Sequence, residues 1–130
     1  MVIEEALMTY LLAQSGLTAL VSNRIYPLKL PQTPTLPAIV YQKIDAPRLP
    51  GFSADYGVTT RIQITSWALT YTGASAVQEQ IRTATQNIMN QSMSGMVVKN
   101  IEFDEGPDSY EDETERYGKI VDLLIWHTEA

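Results

Sequence analysis

The 130-residue sequence contains no cysteine and a single histidine, His127. The first absence excludes disulfides, thiolate nucleophiles and thiolate metal sites, and suits a reducing cytoplasm. The second excludes a multi-histidine metal site, and His127 is expected as a surface residue at the end of a strand. Long apolar runs are missing too, and none approaches the roughly 20 residues that a membrane helix needs. Glu4 and Glu5 interrupt the start of the chain, which lacks the basic and apolar regions of a signal peptide. The expectation is a soluble protein made in the cytoplasm, with no membrane partner. Basic clusters are equally scarce, because the nine Lys and Arg residues are scattered from Arg24 to Lys119. Tight binding to a phosphate backbone needs several converging cations, so it is not expected here.

Catalytic motifs are also absent. The glycines at Gly16, Gly51, Gly57, Gly73, Gly95, Gly106 and Gly118 never fall into the spacing of a phosphate loop or a nucleophile elbow. A calcium loop starting at Asp104 would put Gly106 and Asp108 at its third and fifth positions. Ser109 would then stand where the turn glycine belongs, so the spacing fails. Asn90-Gln91-Ser92 matches a glycosylation sequon by chance in a chain without a secretion signal. No enzyme activity, cofactor or metal is expected.

What is present suggests a single domain over residues 1–130. Its formal charge is −6, and eight of its fifteen acidic residues lie between Glu102 and Glu115. Ile3, Leu7, Tyr10 and Leu11 recur at helical spacing, which predicts a helix over 3–14 with Gly16 as its stop. A short helical turn follows at Leu17–Val21. Pro27, Pro31, Pro34 and Pro37 make 27–37 an extended arm rather than a helix or central strand. Leu28, Leu30 and Leu36 give that arm an apolar side.

Ala38–Ala46 reads as a strand, followed by a turn-rich segment from Pro47 to Gly57. Val58–Trp67 alternates with the period of a half-buried strand. Thr72 offers an N-cap to a helix over 73–90, whose apolar face carries Ala74, Val77, Ile81, Ala84 and Ile88. Its opposite face is polar but uncharged: Gln78, Gln80, Thr83, Gln86 and Asn87. Met96–Phe103 reads as a strand, 104–115 as an acidic loop, and Arg116–His127 as a closing strand. The result is an α+β fold in the order helix, arm, two strands, helix, two strands. An antiparallel sheet of about four strands would carry two main helices on one face.

Three ordered segments, Arg24–Ile44, Arg61–Ala84 and Tyr110–Glu129, together resemble the small tail-completion proteins of siphophages and related prophages. The resemblance implies a non-enzymatic virion subunit made in the bacterial host cytoplasm. It would form a ring, expected as a hexamer, at the head–tail junction. It would stop tail-tube growth there and allow head–tail joining. Its partners would be itself, the major tail-tube protein and a head-closure or connector protein. The arm is the expected contact element, through Leu28, Lys29, Leu30 and Leu36, because restricted φ angles lower the entropy lost on docking. Asp104, Glu105, Asp108, Glu111, Asp112 and Glu113 would line a channel that repels DNA phosphates. Two alternatives remain: a head-closure protein at the same junction, or a small ferredoxin-like module that binds a ligand and regulates a partner.

Overall fold

The computed structural model describes residues 2–45 and 58–128. In chain order the elements are α1 (Ile3–Leu12), α2 (Ser15–Val21), β1 (Ile25–Pro27), β2 (Ala38–Asp45), β3 (Val58–Ala68), α3 (Tyr71–Thr85), β4 (Met89–Met93), β5 (Met96–Glu111) and β6 (Arg116–His127). The six strands among the described residues form one sheet in the order β1-β2-β3-β6-β5-β4. The α+β class is as expected, but among the described residues the sheet has six strands rather than about four, and the short helical turn expected at Leu17–Val21 forms α2 beside the two main helices. The turn-rich segment at Pro47–Gly57 and the expected strand end at Ala46 lie outside the described residues.

The central strand β3 shows why the sheet has a helix side. Val58, Thr60, Ile62, Ile64, Ser66 and Ala68 are buried, while the residues between them are half-buried. A period of two sends alternate side chains to opposite faces. Ile62 and Ile64 pair in register with Leu123 and Val121 of β6, all four fully buried. Val77 and Ile81 of α3 complete the same core. Ile3, Ala6, Leu7, Met8 and Leu11 bury one face of α1, and the Tyr10 hydroxyl donates to the Ala84 carbonyl at 2.8 Å, tying α1 to α3. Glu4 and Glu5 sit in the first turn of α1, where negative charge complements the helix dipole. Among the described residues no helix is long and apolar enough to cross a membrane.

Several boundaries differ from the sequence reading. Helix α1 stops at Leu12, and Gly16 lies inside α2 rather than ending α1. The cap of α3 is Thr70, not Thr72: its Oγ1 accepts from the Gly73 amide at 3.0 Å. That helix ends at Thr85, five residues short of the expected end, because Met89–Met93 has joined the sheet as β4. Ile88 kept the apolar spacing of the helix and is indeed buried, but it lies between elements. The β4–β5 hairpin turns at Ser94 and Gly95, both with positive φ (51° and 88°), as a two-residue hairpin turn of the right twist requires. Gln78, expected on the polar outer face, is buried, with its Nε2 donating to the Ile120 carbonyl at 3.3 Å.

His127 is not a surface residue. It is 4 % exposed, its Nε2 lies 2.7 Å from the Thr60 hydroxyl, and its Nδ1 lies 2.7 Å from the Thr128 carbonyl. A carbonyl only accepts, so Nδ1 carries the hydrogen and Nε2 is left to the threonine hydroxyl. The register of β3 with β6 (Thr60 opposite Ile125, Val58 opposite His127) brings the imidazole inside, which position near the chain end does not disclose.

Candidate functional site

The proline-rich arm is a crossover. Strand β1 pairs parallel with β2, Ile25 opposite Ile39, and parallel neighbours cannot be joined by a tight turn. Pro27 lies in β1 itself, so the first residue assigned to the arm belongs to an edge strand, a place that tolerates proline. Residues 28–37 then cross back. Arg24 ties the far end of this path to α2, donating from Nε to the Pro37 carbonyl at 2.9 Å and from a terminal nitrogen to the Leu20 carbonyl at 3.2 Å. The Leu28 amide donates to the Tyr41 carbonyl at 2.9 Å.

Between the arm and the helix-free face of the sheet runs a groove of about 370 Å³. Leu28, Lys29 and Leu30 line it from the arm, and Gln63, Trp67 and Arg116 line it from the sheet. Leu36 opens instead onto a neighbouring recess with Pro34, Leu69 and Arg116. The four arm residues expected as contacts therefore cluster at one end of the sheet. Leu30 and Leu36 are half-buried, Lys29 is exposed, and Leu28 is 70 % exposed at φ 66°.

Trp67 forms the floor, and its position follows from its neighbours. A Cβ at Gly118, its cross-strand partner, would meet the indole ring at 2.8 Å, so only glycine lets the ring lie flat there. The Arg116 guanidinium stacks 5.1 Å from the ring centroid and binds both carboxylate oxygens of Glu111, at 3.1 and 3.2 Å. Neither Trp67 nor Arg116 was singled out from sequence. The signal available was an alternating strand ending in tryptophan, opposite a glycine in the last strand.

The acidic segment is not a loop. Residues 104–111 continue β5, and the turn is confined to 112–115. Asp104 pairs with Asp122 and so shares the open face, whereas Glu105 pairs with Val121 and so lies on the helix face. A register shift between Glu105 and Asp108 bulges the strand around Gly106 and Pro107. Asp112 and Glu113 occupy the exposed turn. The expected channel residues are thus spread over both faces and the tip of one hairpin.

Two of these acids are bound within the subunit. Asp108 accepts a hydrogen bond from the Tyr71 hydroxyl at 2.8 Å and lies 3.3 Å from Lys119 Nζ, which also sits 4.6 Å from the Tyr71 ring centroid. The Tyr71 hydrogen bond, aided by Lys119, holds the Asp108 carboxyl below the usual aspartate range. Contact with Tyr71, then with Asp108, raises Lys119. Glu111 is lowered by the Thr114 hydroxyl and then by Arg116.

A carboxyl whose pKa is lower in the folded chain stabilises it above its unfolded value of about 4. That stabilisation is lost as pH falls through the lower folded value. For Lys119 the sense is opposite, with stabilisation lost as pH rises through its raised value, above about 10. The urea midpoint should therefore fall between about pH 5 and pH 2. In Tyr71→Phe that fall should be shallower. An identical slope in both proteins would remove the hydrogen bond from the account.

No group of three or more His, Cys, Asp or Glu side chains among the described residues is placed to hold a metal ion. The family model described as tail completion protein gp17 matches residues 5–128. A chain in the solved virion of a native gene transfer agent particle matches with a TM-score of 0.76 at 14 % identity, over 98 % of this chain and 95 % of that one. None of the curated proteins matches the sequence. At that identity the structural likeness speaks for the fold, while the family match spans nearly the whole chain. The protein belongs to the tail completion protein gp17 family of bacteriophage tail proteins, and is a structural protein rather than an enzyme.

Proposed function

We propose that the chain acts as one tail-terminator domain, closing the head-proximal end of the tail tube as an oligomeric ring, a hexamer. The ring stops tube growth and presents a surface to the head-closure or connector protein. Assembly takes place in the bacterial host cytoplasm, with the major tail-tube protein as the surface on which the ring forms.

The exposed apolar arm is the observation that carries this reading. Leu28 and Leu69 are 70 % and 66 % exposed at the same end of the sheet, a poor arrangement for a subunit that works alone. At Leu28 the backbone has φ 66°, where a Cβ costs roughly 1 kcal/mol. Glycine would suit both that conformation and that exposure, so the leucine side chain acts outside the subunit. The arm, through Leu28, Lys29, Leu30 and Leu36, is the contact with the tube or with a neighbouring subunit.

The acidic hairpin faces the channel through which DNA passes. With Asp108 and Glu111 committed to Lys119 and Arg116, the acids available to repel phosphate are chiefly Asp104, Asp112 and Glu113. Deletion of the gene, followed by electron microscopy of lysates, tests the proposal. Tails of irregular length without heads are expected. Normal tails joined to heads would overturn it. Purified protein that binds portal-bearing heads but not tail tubes would favour a head-closure role instead.

A further inference from the structure

The proline-rich arm is fastened at its two ends and free between them. At the near end the Leu28 amide donates to the Tyr41 carbonyl, and at the far end Arg24 holds the Pro37 carbonyl, each at 2.9 Å. Among the described residues no hydrogen bond or ion pair reaches positions 30–36, which are mostly exposed. Exposed backbone with so few ties is the part of a fold that opens most readily. Pro31 and Pro34 fix two φ angles of the span, so it moves as a stiff strap.

The hinge of this strap is strained. The Lys29 amide donates to the Pro27 carbonyl at 2.7 Å, closing a three-residue turn around Leu28, whose φ is 66°. The positive-φ form of that turn is rare and strained, and leucine lacks the short polar side chain that lets Asn or Asp sit there. The same conformation leaves Leu28 70 % exposed. Beside it the groove of about 370 Å³ lies open between strap and sheet, with Val40, Thr65 and Trp67 on its floor. That space holds roughly a dozen waters, so the strap is not packed down on the sheet.

We infer that the arm is a strap with two seats, raised in the structure and lowered into this groove in the free subunit. The register of β1 says where Leu28 goes on lowering. Ile25 and Pro27 pair with Ile39 and Tyr41 of the helix face, while Tyr26 pairs with Val40 of the open face. If Leu28 takes an extended φ, alternation sends its side chain after Tyr26, onto the groove side. Rotation about that φ leaves the bond from the Leu28 amide to Tyr41 intact, because the amide lies before the pivot. The Lys29–Pro27 hydrogen bond passes to water. In return the strained turn relaxes, an apolar side chain leaves water, and the span that follows closes over Trp67. Docking draws the strap up again, because the partner covers Leu28 itself and so favours the raised seat. The contact leucine stays hidden until a partner is present, which keeps free subunits from associating through it.

This inference rests on the arm being the contact, and two variants at the hinge separate the two. Leu28→Asn suits the raised seat, since asparagine tolerates positive φ and is too polar for the groove. Leu28→Ile suits the lowered seat, since a β-branched side chain resists positive φ and remains apolar. Both are made in a Trp126→Phe background, which leaves Trp67 as the sole tryptophan, and melting curves check that each protein folds. Acrylamide quenching of Trp67 in the free subunit should rise about twofold in Leu28→Asn and should not rise in Leu28→Ile. Supplied in trans to the gene deletion, Leu28→Ile should cap about fivefold fewer tails, in proportion to its smaller raised fraction. Equal quenching in Leu28→Asn and its parent overturns the two-seat strap and leaves the contact reading standing. Capping at the parent's level by folded Leu28→Ile does the same. Normal capping by Leu30→Asp is the result that removes the contact reading instead.

Discussion

Ile81→Asp should leave no stably folded subunit at 37 °C. Ile81 is fully buried in the C-terminal half of α3, in one core with the central strands of the sheet. Removing the side chain from the core forfeits about 2 kcal/mol of transfer free energy. The new carboxylate then loses several kcal/mol of hydration, or must take up a proton to avoid that loss. A domain of this size is typically stable by about 5–15 kcal/mol, so the two effects together remove most of the margin. Ile62→Asp provides a graded comparison. Ile62 is equally buried, but Lys43 stands beside it across the strand pair and can supply a counter-ion. Its loss should be smaller. Thr83→Asp, on the exposed side of the same helix, should stay within about 0.5 kcal/mol of wild type. Urea titrations followed by circular dichroism would rank the three. A stable Ile81→Asp protein would mean that α3 does not pack through this face.

Leu30→Asp should have the reverse profile, a folded subunit that does not complete tails. Leu30 is half-buried at the groove wall and belongs to no strand, so the subunit can hydrate a carboxylate there. At an assembly contact the same change would bring an unpaired charge into an apolar surface. Interface residues of this kind typically contribute about 2 kcal/mol, which corresponds to a loss of roughly thirtyfold in affinity. In a ring the loss recurs at every subunit. The expected result is an unchanged melting temperature with sharply reduced yield of infectious particles in a complementation assay. Normal yield would remove the arm from the contact surface. A large drop in melting temperature would show instead that Leu30 serves the subunit's own core.

The contrast between these variants mirrors what could be read from the chain alone. The alternation of Val58–Trp67 and the spacing of Ala74, Val77 and Ile81 each bury one side of a regular element. The burial period is therefore written into the residues themselves. The arm was legible for a similar local reason, since its prolines exclude helix and central strand. Leu28, Lys29, Leu30 and Leu36 lie near one another for the same reason, because they follow one another along a short path. By contrast, β4 was hidden. Met89–Met93 is mostly exposed and polar, and its strand conformation depends on pairing with β5 after the Ser94–Gly95 turn. The acidic end of β5 was hidden too. Charged residues mask the period of two, and only the apolar strand β6 alongside holds them extended.

Sequence by itself determined that this chain lacks the groups for thiolate or multi-histidine chemistry. It also determined that the chain has an amphipathic helix, a half-buried strand and a stiff arm, and that it resembles a tail-completion protein. Each of those depends on residue types or on neighbours a few positions apart. The tertiary structure decided which residues meet across the sheet. It buried His127 against Thr60, laid Trp67 on Gly118 beneath Arg116, and joined Tyr71 to Asp108 and Lys119. These pairings join residues 37 to 67 positions apart in the sequence. They depend on strand order and register, which are set by the summed packing of the whole core rather than by any local pattern.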